Sequence, residues 1–115
     1  MVDIPTCEWN GKSGQRYSFH IYILPTSFDP NQPGNYIYTK IDSNNYWVPI
    51  YIGQGDLNER VTNHHQASCI KNKGATHFHC HKNSVEANRL SEEKDLLANY
   101  PQSYQPSGCN ERMGG

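Results

Sequence analysis

The sequence predicts an α+β domain: a small antiparallel β-sheet of three core strands, preceded by one extra N-terminal strand and flanked by helices. Three observations lead there. Residues 17–24, 35–41 and 46–52 are rich in Tyr, Ile, Phe, Val and Thr, the side chains that suit a pleated surface. The second and third of these runs are joined by Asp42, Ser43, Asn44 and Asn45, residue types that tolerate turn dihedrals, so they read as a hairpin. Two capping-box patterns, at 56–59 and 83–86, each open a segment with helical periodicity. With 115 residues there is room for one domain with one core. Residues 1–33 form an extension carrying the extra strand, and residues 34–110 form the core.

Taken in order, residues 7–17 are rich in turn formers, and the strand at 17–24 follows them. Three prolines between 25 and 33, with Asp29, Asn31 and Gln32, specify a loop in which no helix continues. In the second hairpin strand, Pro49 cannot donate to a ladder, which implies an edge position or a bulge. After Gly53, Gln54 and Gly55, Asp56 is placed to cap a helix with Glu59 reaching back. Leu57, Arg60, Val61 and His64 recur at i, i+3, i+4 and i+7 and share one face of that helix, which runs until Gly74 supplies a left-handed cap near Lys73.

Residues 76–81 alternate strictly, with Phe78 and Cys80 on one face and His77, His79 and His81 on the other, so a half-buried third core strand is expected. The closing helix starts at the 83–86 box and extends to about Ala98, with Ala87, Leu90, Leu96 and Leu97 on its apolar side. Tyr100 and Pro101 stop it. The tail at 111–115 reads as frayed, and no internal repeat is present.

Composition narrows the function classes. A net charge of −1 excludes a protein that coats nucleic acid by releasing many counterions, while leaving room for one that grips it locally. No stretch approaches the roughly 18 apolar residues of a membrane span, and the first residues lack the basic and apolar regions of a secretory signal, so a soluble cytoplasmic protein is expected. Cys7, Cys69, Cys80 and Cys109 are far apart with no CxxC pair, and are read as free thiols in a reducing compartment.

Several residues then fall into one pattern. Gly34, Asn35 and Tyr36 precede the hairpin, and Tyr51, Ile52 and Gly53 follow it. Arg60 and His64 lie on the next helix, Ala87 and Glu93 on the one after, and Pro106 to Asn110 close the run. From Gly34 to Asn110 this order resembles the successive motifs of the GIY-YIG nuclease family. Two departures are visible: the first half reads Gly-Asn-Tyr, and the separation of Tyr36 from Tyr51 is slightly longer than usual in the family. His20, Ile21 and Tyr22 offer a competing first half, with the hairpin as an insertion. Gly34 and the direct pairing with the strand of Tyr51 favour Tyr36.

The resemblance implies a metal-dependent DNA endonuclease in which a tyrosine hydroxyl, from Tyr36 or Tyr51, activates water. A phenol near pKa 10 needs adjacent positive charge for that work, and Arg60 or a bound metal are the sources. Arg60 matches phosphate geometry. His64 is suited to accept the tyrosine's proton or to bond the phosphate. Glu93 is assigned one divalent ion, Mg²⁺ or Mn²⁺, because a carboxylate with retained waters suits a hard cation. It lies three residues after Leu90 and four before Leu97, on the sheet-facing side, whereas Glu92 is turned about 100° away. Asn110 supports the site.

Taken singly, each residue has an ordinary structural explanation, as a strand aromatic, a solvated helix charge or a turn. Their joint occurrence carries the expectation. An alternative is a DNA-binding module of the same fold with little or no catalysis, which would be expected to lack Arg60 or Glu93. A third reading makes His77, His79 and His81 a zinc site. Imidazoles at i, i+2 along a strand are spread by nearly 7 Å per step, which favours a solvent-facing or DNA-facing surface instead. Lys71, Lys73, Lys82 and Arg89 flank that strand. DNA is the expected partner of a monomer or homodimer, with recruitment by another protein compatible with so small a chain.

Overall fold

The computed structural model describes residues 4–112; the last three residues of the tail expected to fray lie outside that range. The elements run β1 (Thr6–Asn10), β2 (Arg16–Ile23), β3 (Pro33–Ile41), β4 (Trp47–Asp56), α1 (Leu57–Thr62), α2 (Ala67–Asn72), β5 (His77–Lys82) and α3 (Glu86–Asn99), with a 3₁₀ turn at Pro101–Ser103. All five strands form one antiparallel sheet in the order β1-β2-β5-β3-β4. The sheet therefore has one strand more than the sequence predicts. Residues 7–10 look turn-rich in sequence because Glu8 and Asn10 are weak strand formers. They are recruited by pairing with β2 and by burial of Trp9.

The hairpin of β3 and β4 forms as expected, and β4 is an edge strand. Register slips between Tyr38 and Thr39, so Tyr38 faces Tyr51 and Thr39 faces Pro49; the proline sits beside a bulge on an edge, where its missing N–H costs no ladder bond.

Side chains leave the sheet on two sides. One face carries Tyr36, Tyr38, Ile50, Phe78 and Cys80 and is covered by Leu57 of α1 and Ile70 of α2. The other carries Trp9, Phe19, Ile37 and Ile52 and is covered by Leu96 of α3. Both faces of β5 are thus buried. His79 is 0% exposed: Trp9 Nε1 donates to its Nδ1 at 3.0 Å, and its Nε2 lies 3.2 Å from Thr39 Oγ1. The solvent-facing or DNA-facing histidine surface expected from alternation is replaced by a packed polar core, because α3 and β1 cover that side. His79, His81 and His77 face separate partners, so they do not converge as zinc ligands would.

The single helix expected from 56 to 73 is broken. Asp56 caps α1 by accepting from Glu59 N, but α1 ends at Thr62, and α2 begins at Ala67. Thr62, Asn63, His64 and His65 are poor helix formers in a row, and Asn63 leaves the helical region at φ −144°. Gly74 closes α2 at φ +83°. In α3, Asn83 accepts from Val85 N instead of capping the helix in a box.

Leu90 is 46% exposed and Ala87 is exposed, so the apolar side assigned to α3 is corrected. The face towards the sheet is formed by Arg89, Glu92, Glu93, Leu96 and Leu97. No helix among the described residues is long and apolar enough to cross a membrane.

The cysteines also differ from expectation. Cys69 and Cys109 form a disulfide across 40 residues, while Cys7 and Cys80 are free, with burial pushing the Cys80 thiol up to about 12. Spacing along the chain carries no trace of that pairing, which arises because α2 and the last loop pack side by side.

Candidate active site

Tyr36 lies on β3 directly opposite Gly53 on β4. A Cβ at Gly53 would sit 2.5 Å from Tyr36 Oη and 2.9 Å from a ring carbon of Tyr51, so only glycine lets both rings lie across this strand. Tyr51 stacks on Tyr36 with centroids 6.1 Å apart. Two residues on, Gly55 has φ +143°, and a Cβ there would meet Arg60 Nε at 2.5 Å. Gly53 and Gly55 share one strand face, and the space they leave is filled by Tyr36 and Arg60. The Gly-x-Gly spacing that reads as a mere strand-to-helix turn is thus what lets the site form.

The break between α1 and α2 carries His64 into the cluster. Its Nε2 is 2.6 Å from Tyr36 Oη, and its ring is 4.5 Å from that of Tyr51 and 4.5 Å from His65. Gln66 N–H donates to His64 Nδ1 at 2.9 Å. Burial, His65 and Arg60 together lower His64 to about 4, so near neutrality the ring is uncharged. A neutral imidazole whose Nδ1 accepts must carry its proton on Nε2. His64 Nε2–H therefore donates to Tyr36 Oη. The role of accepting the tyrosine's proton does not fit this tautomer.

Tyr36 is 1% exposed, and burial raises its phenol, with Tyr51 adding to the rise and Arg60 opposing it. Tyr51 is half-buried and raised for the same first reason, and its hydroxyl reaches His65 Nε2 at 3.3 Å. Arg60 Nε is buried without a hydrogen-bond partner among the described residues. Glu93 is half-buried, and desolvation raises its carboxyl while Arg60's charge opposes that rise. The one ion pair among the described residues belongs to its neighbour: His81 Nε2 lies 2.6 Å from Glu92 Oε2. The contrast drawn from sequence between a sheet-facing Glu93 and an outward Glu92 is corrected. Glu92 is 4% exposed and bonds His81 of β5, while Glu93 is half-buried and close enough for its charge to act on Tyr36 and Tyr51 and for Arg60's charge to act on it.

Asn110 binds the free edge of β4 with both ends of its amide: Ile52 N donates to Oδ1 and Nδ2 donates to Ile52 O, each at 2.9 Å. This holds the strand between Tyr51 and Gly53 and satisfies two edge groups. Tyr22 is placed elsewhere, against Phe28 and opposite Phe78 on β5. Tyr36, Tyr51, Arg60, His64, Glu93 and Asn110 are accordingly brought together around the end of β4, and Tyr22 is not.

As a donor set, the cluster has one carboxylate of its own, Glu93, and no group of three or more His, Cys, Asp or Glu among the described residues is placed to hold an ion unaided. A hard divalent cation takes oxygen ligands, and the described residues would give it a single carboxylate here, Glu93. Compared with protein-family models, with curated proteins and with solved structures, the chain matches none.

Proposed function

We propose that the chain is a metal-dependent DNA endonuclease of the GIY-YIG kind. The observation that carries this reading is the meeting of two stacked tyrosines and a neutral histidine with the buried Nε of Arg60 and the carboxylate of Glu93, neither of which has a hydrogen-bond or ion-pair partner among the described residues. Unpaired groups of opposite sign at one place are costly unless a ligand completes them. A phosphodiester with its cation would do so.

Arg60 meets the phosphoryl oxygens and opposes the charge that grows on them. Glu93 would hold the Mg²⁺ or Mn²⁺. When bound, that ion supplies positive charge towards the phosphate and the departing oxygen. His64 Nε2–H donates to Tyr36 Oη at 2.6 Å, and Arg60's charge opposes the rise that burial imposes on the Tyr36 phenol. Since His64 occupies that oxygen as a donor, Tyr36 would hand its own hydrogen to a phosphate oxygen of the substrate while taking the attacking water's proton, so the buried phenol is neutral before and after the step. Tyr51, the more open of the two, orients the water and phosphate. Asn110 keeps the strand beneath them in place.

The test is nicking of supercoiled plasmid and of branched or flapped DNA with Mg²⁺, with Mn²⁺ and with EDTA, comparing wild type with Glu93→Gln. The reading expects metal-dependent nicking that falls at least about 100-fold in the variant, whose circular dichroism is unchanged. Nicking that survives EDTA or the substitution would sink it. Tight, salt-sensitive DNA binding without any cleavage would replace it with a binding module.

A further inference from the structure

The two supports of the cluster, the Gln66 N–H that sets the His64 tautomer and the Asn110 amide that grips β4, lie on two short segments, α2 and the last loop. Helix α2 has six residues and buries one side chain, Ile70. So short a helix is not stable by its own hydrogen bonds. The last loop lies on the edge of β4 through Cys109 N, which donates to Ile50 O at 2.8 Å, and through Asn110. It is closed on itself by Gly108 N to Tyr104 O and by Gln105 N to Asn110 O.

What joins the two segments is the disulfide. Cys69 is in the first turn of α2, three residues after Gln66, and Cys109 immediately precedes Asn110. Besides Cys69 Sγ lying 3.9 Å from Gly108 O, the side-chain hydrogen bonds that span the two segments among the described residues are exposed ones, Lys73 Nζ to Pro106 O and Gln66 Nε2 to Glu111 Oε1, both at 2.6 Å. Exposed polar contacts of that kind contribute little.

We propose that the Cys69–Cys109 disulfide is the positioning device of this cluster, tying α2 to the last loop so that one bond holds both the His64 tautomer and the Tyr51–Gly53 segment, and that its reduction by a dithiol turns the activity down. The consequence for activity rests on the nuclease reading; the consequence for geometry does not.

The chemistry is a two-electron exchange. A thiolate of the reductant attacks the sulfur of Cys69, the half-exposed partner, forming a mixed disulfide. The displaced Cys109 thiolate, from a residue that is fully buried, takes up a proton. The reductant's second thiolate then attacks the mixed disulfide, closing its own disulfide and releasing Cys69, which is protonated in turn. The reductant is oxidised, two thiols are formed, and reoxidation restores the bond.

The experiment compares oxidised wild type, wild type treated with dithiothreitol, and Cys69→Ser. It reads amide hydrogen exchange at Ile52, Gln66 and Ile37 and, in parallel, plasmid nicking. Expected are exchange at Ile52 and Gln66 faster by about tenfold or more in the reduced protein and in the variant, with Ile37 on the central strand β3 unchanged. The nicking kcat is expected to fall by about tenfold or more at a KM for DNA within about twofold, and to recover on reoxidation in wild type alone.

Unchanged exchange at Ile52 and Gln66 overturns the proposal. So does loss of protection at Ile37, because the bond would then hold the whole fold and not the site. If the oxidised protein nicks no DNA at all, the nuclease reading fails, and the exchange pattern by itself decides this proposal. If Cys69→Ser does not fold, the reduced wild type decides: faster exchange at Ile52 and Gln66 with Ile37 still protected supports the proposal, and loss of protection at Ile37 overturns it.

Discussion

Replacing Gly53 by alanine adds one methyl group at the most crowded point of the cluster. The new Cβ would lie 2.5 Å from Tyr36 Oη, 2.6 Å from Tyr36 Cζ and 2.9 Å from Tyr51 Cε1. Ordinary contact starts near 3.4 Å, so the Tyr36 hydroxyl must retreat by about 0.9 Å. Tyr36 is packed by Phe78 and Tyr38, with centroids at 5.3 and 5.8 Å, so it cannot move without disturbing the core. Overpacking of this size costs roughly 1–3 kcal/mol of stability.

The effect on chemistry is of the same order as that on folding, about 1.4 kcal/mol for each tenfold in rate. The Tyr36–His64 bond at 2.6 Å has no slack for a shift of that size, and a misplacement of about 1 Å at a reacting group can cost about 100-fold in rate. Gly53→Ala is therefore expected to remain folded, lose roughly 1–3 kcal/mol in a urea titration, and nick DNA about 100-fold more slowly. Steady-state nicking at saturating Mg²⁺ measures this. A variant that nicks within about threefold of wild type would refute the argument that the glycine makes room for Tyr36.

Other outcomes follow from the buried histidines. Burial, aided by His77, lowers His79 to about 3, and burial with His65 and Arg60 lowers His64 to about 4. A depressed imidazole contributes stability above its unfolded value and loses it as pH falls, so unfolding free energy should drop from about pH 6.5 downwards, by the order of 3 kcal/mol for each ring at pH 4. Urea midpoints flat to pH 4.5 would contradict it. On the alkaline side, burial alone would lower His81, but the hydrogen bond and charge of Glu92 more than reverse this. The contribution of that pair is full below about pH 6.5 and lost as pH rises through the raised folded value, so the stability gap between wild type and Glu92→Gln should narrow from pH 6 to pH 9. A gap that widens over that range would be inconsistent with a charged His81.

Local pattern in this chain speaks to local structure. Tyr and Ile runs, the Asp42–Asn45 turn, the Asp56 cap and Gly74 each act through neighbours a few residues away, and the hairpin, the start of α1 and the stop of α2 are legible for that reason. The ordered positions of Tyr36, Tyr51, Arg60, His64, Glu93 and Asn110 could likewise be read before any coordinates, because each stands at a fixed place on its element.

What decided the rest was contact between segments distant in sequence. Trp9 turns a turn-like stretch into β1 by packing on His79, 70 residues away. The side of α3 that meets the sheet is set by Leu96 and Leu97, while Leu90 is left outside, so helical periodicity alone could not separate Glu92 from Glu93. The His64 tautomer depends on a backbone N–H offered by a helix break, and the disulfide on two segments that meet only after the sheet has formed. Which residues are present was written in the chain; which atoms they face, and so which proton each holds, follows from long-range packing that no local spacing encodes.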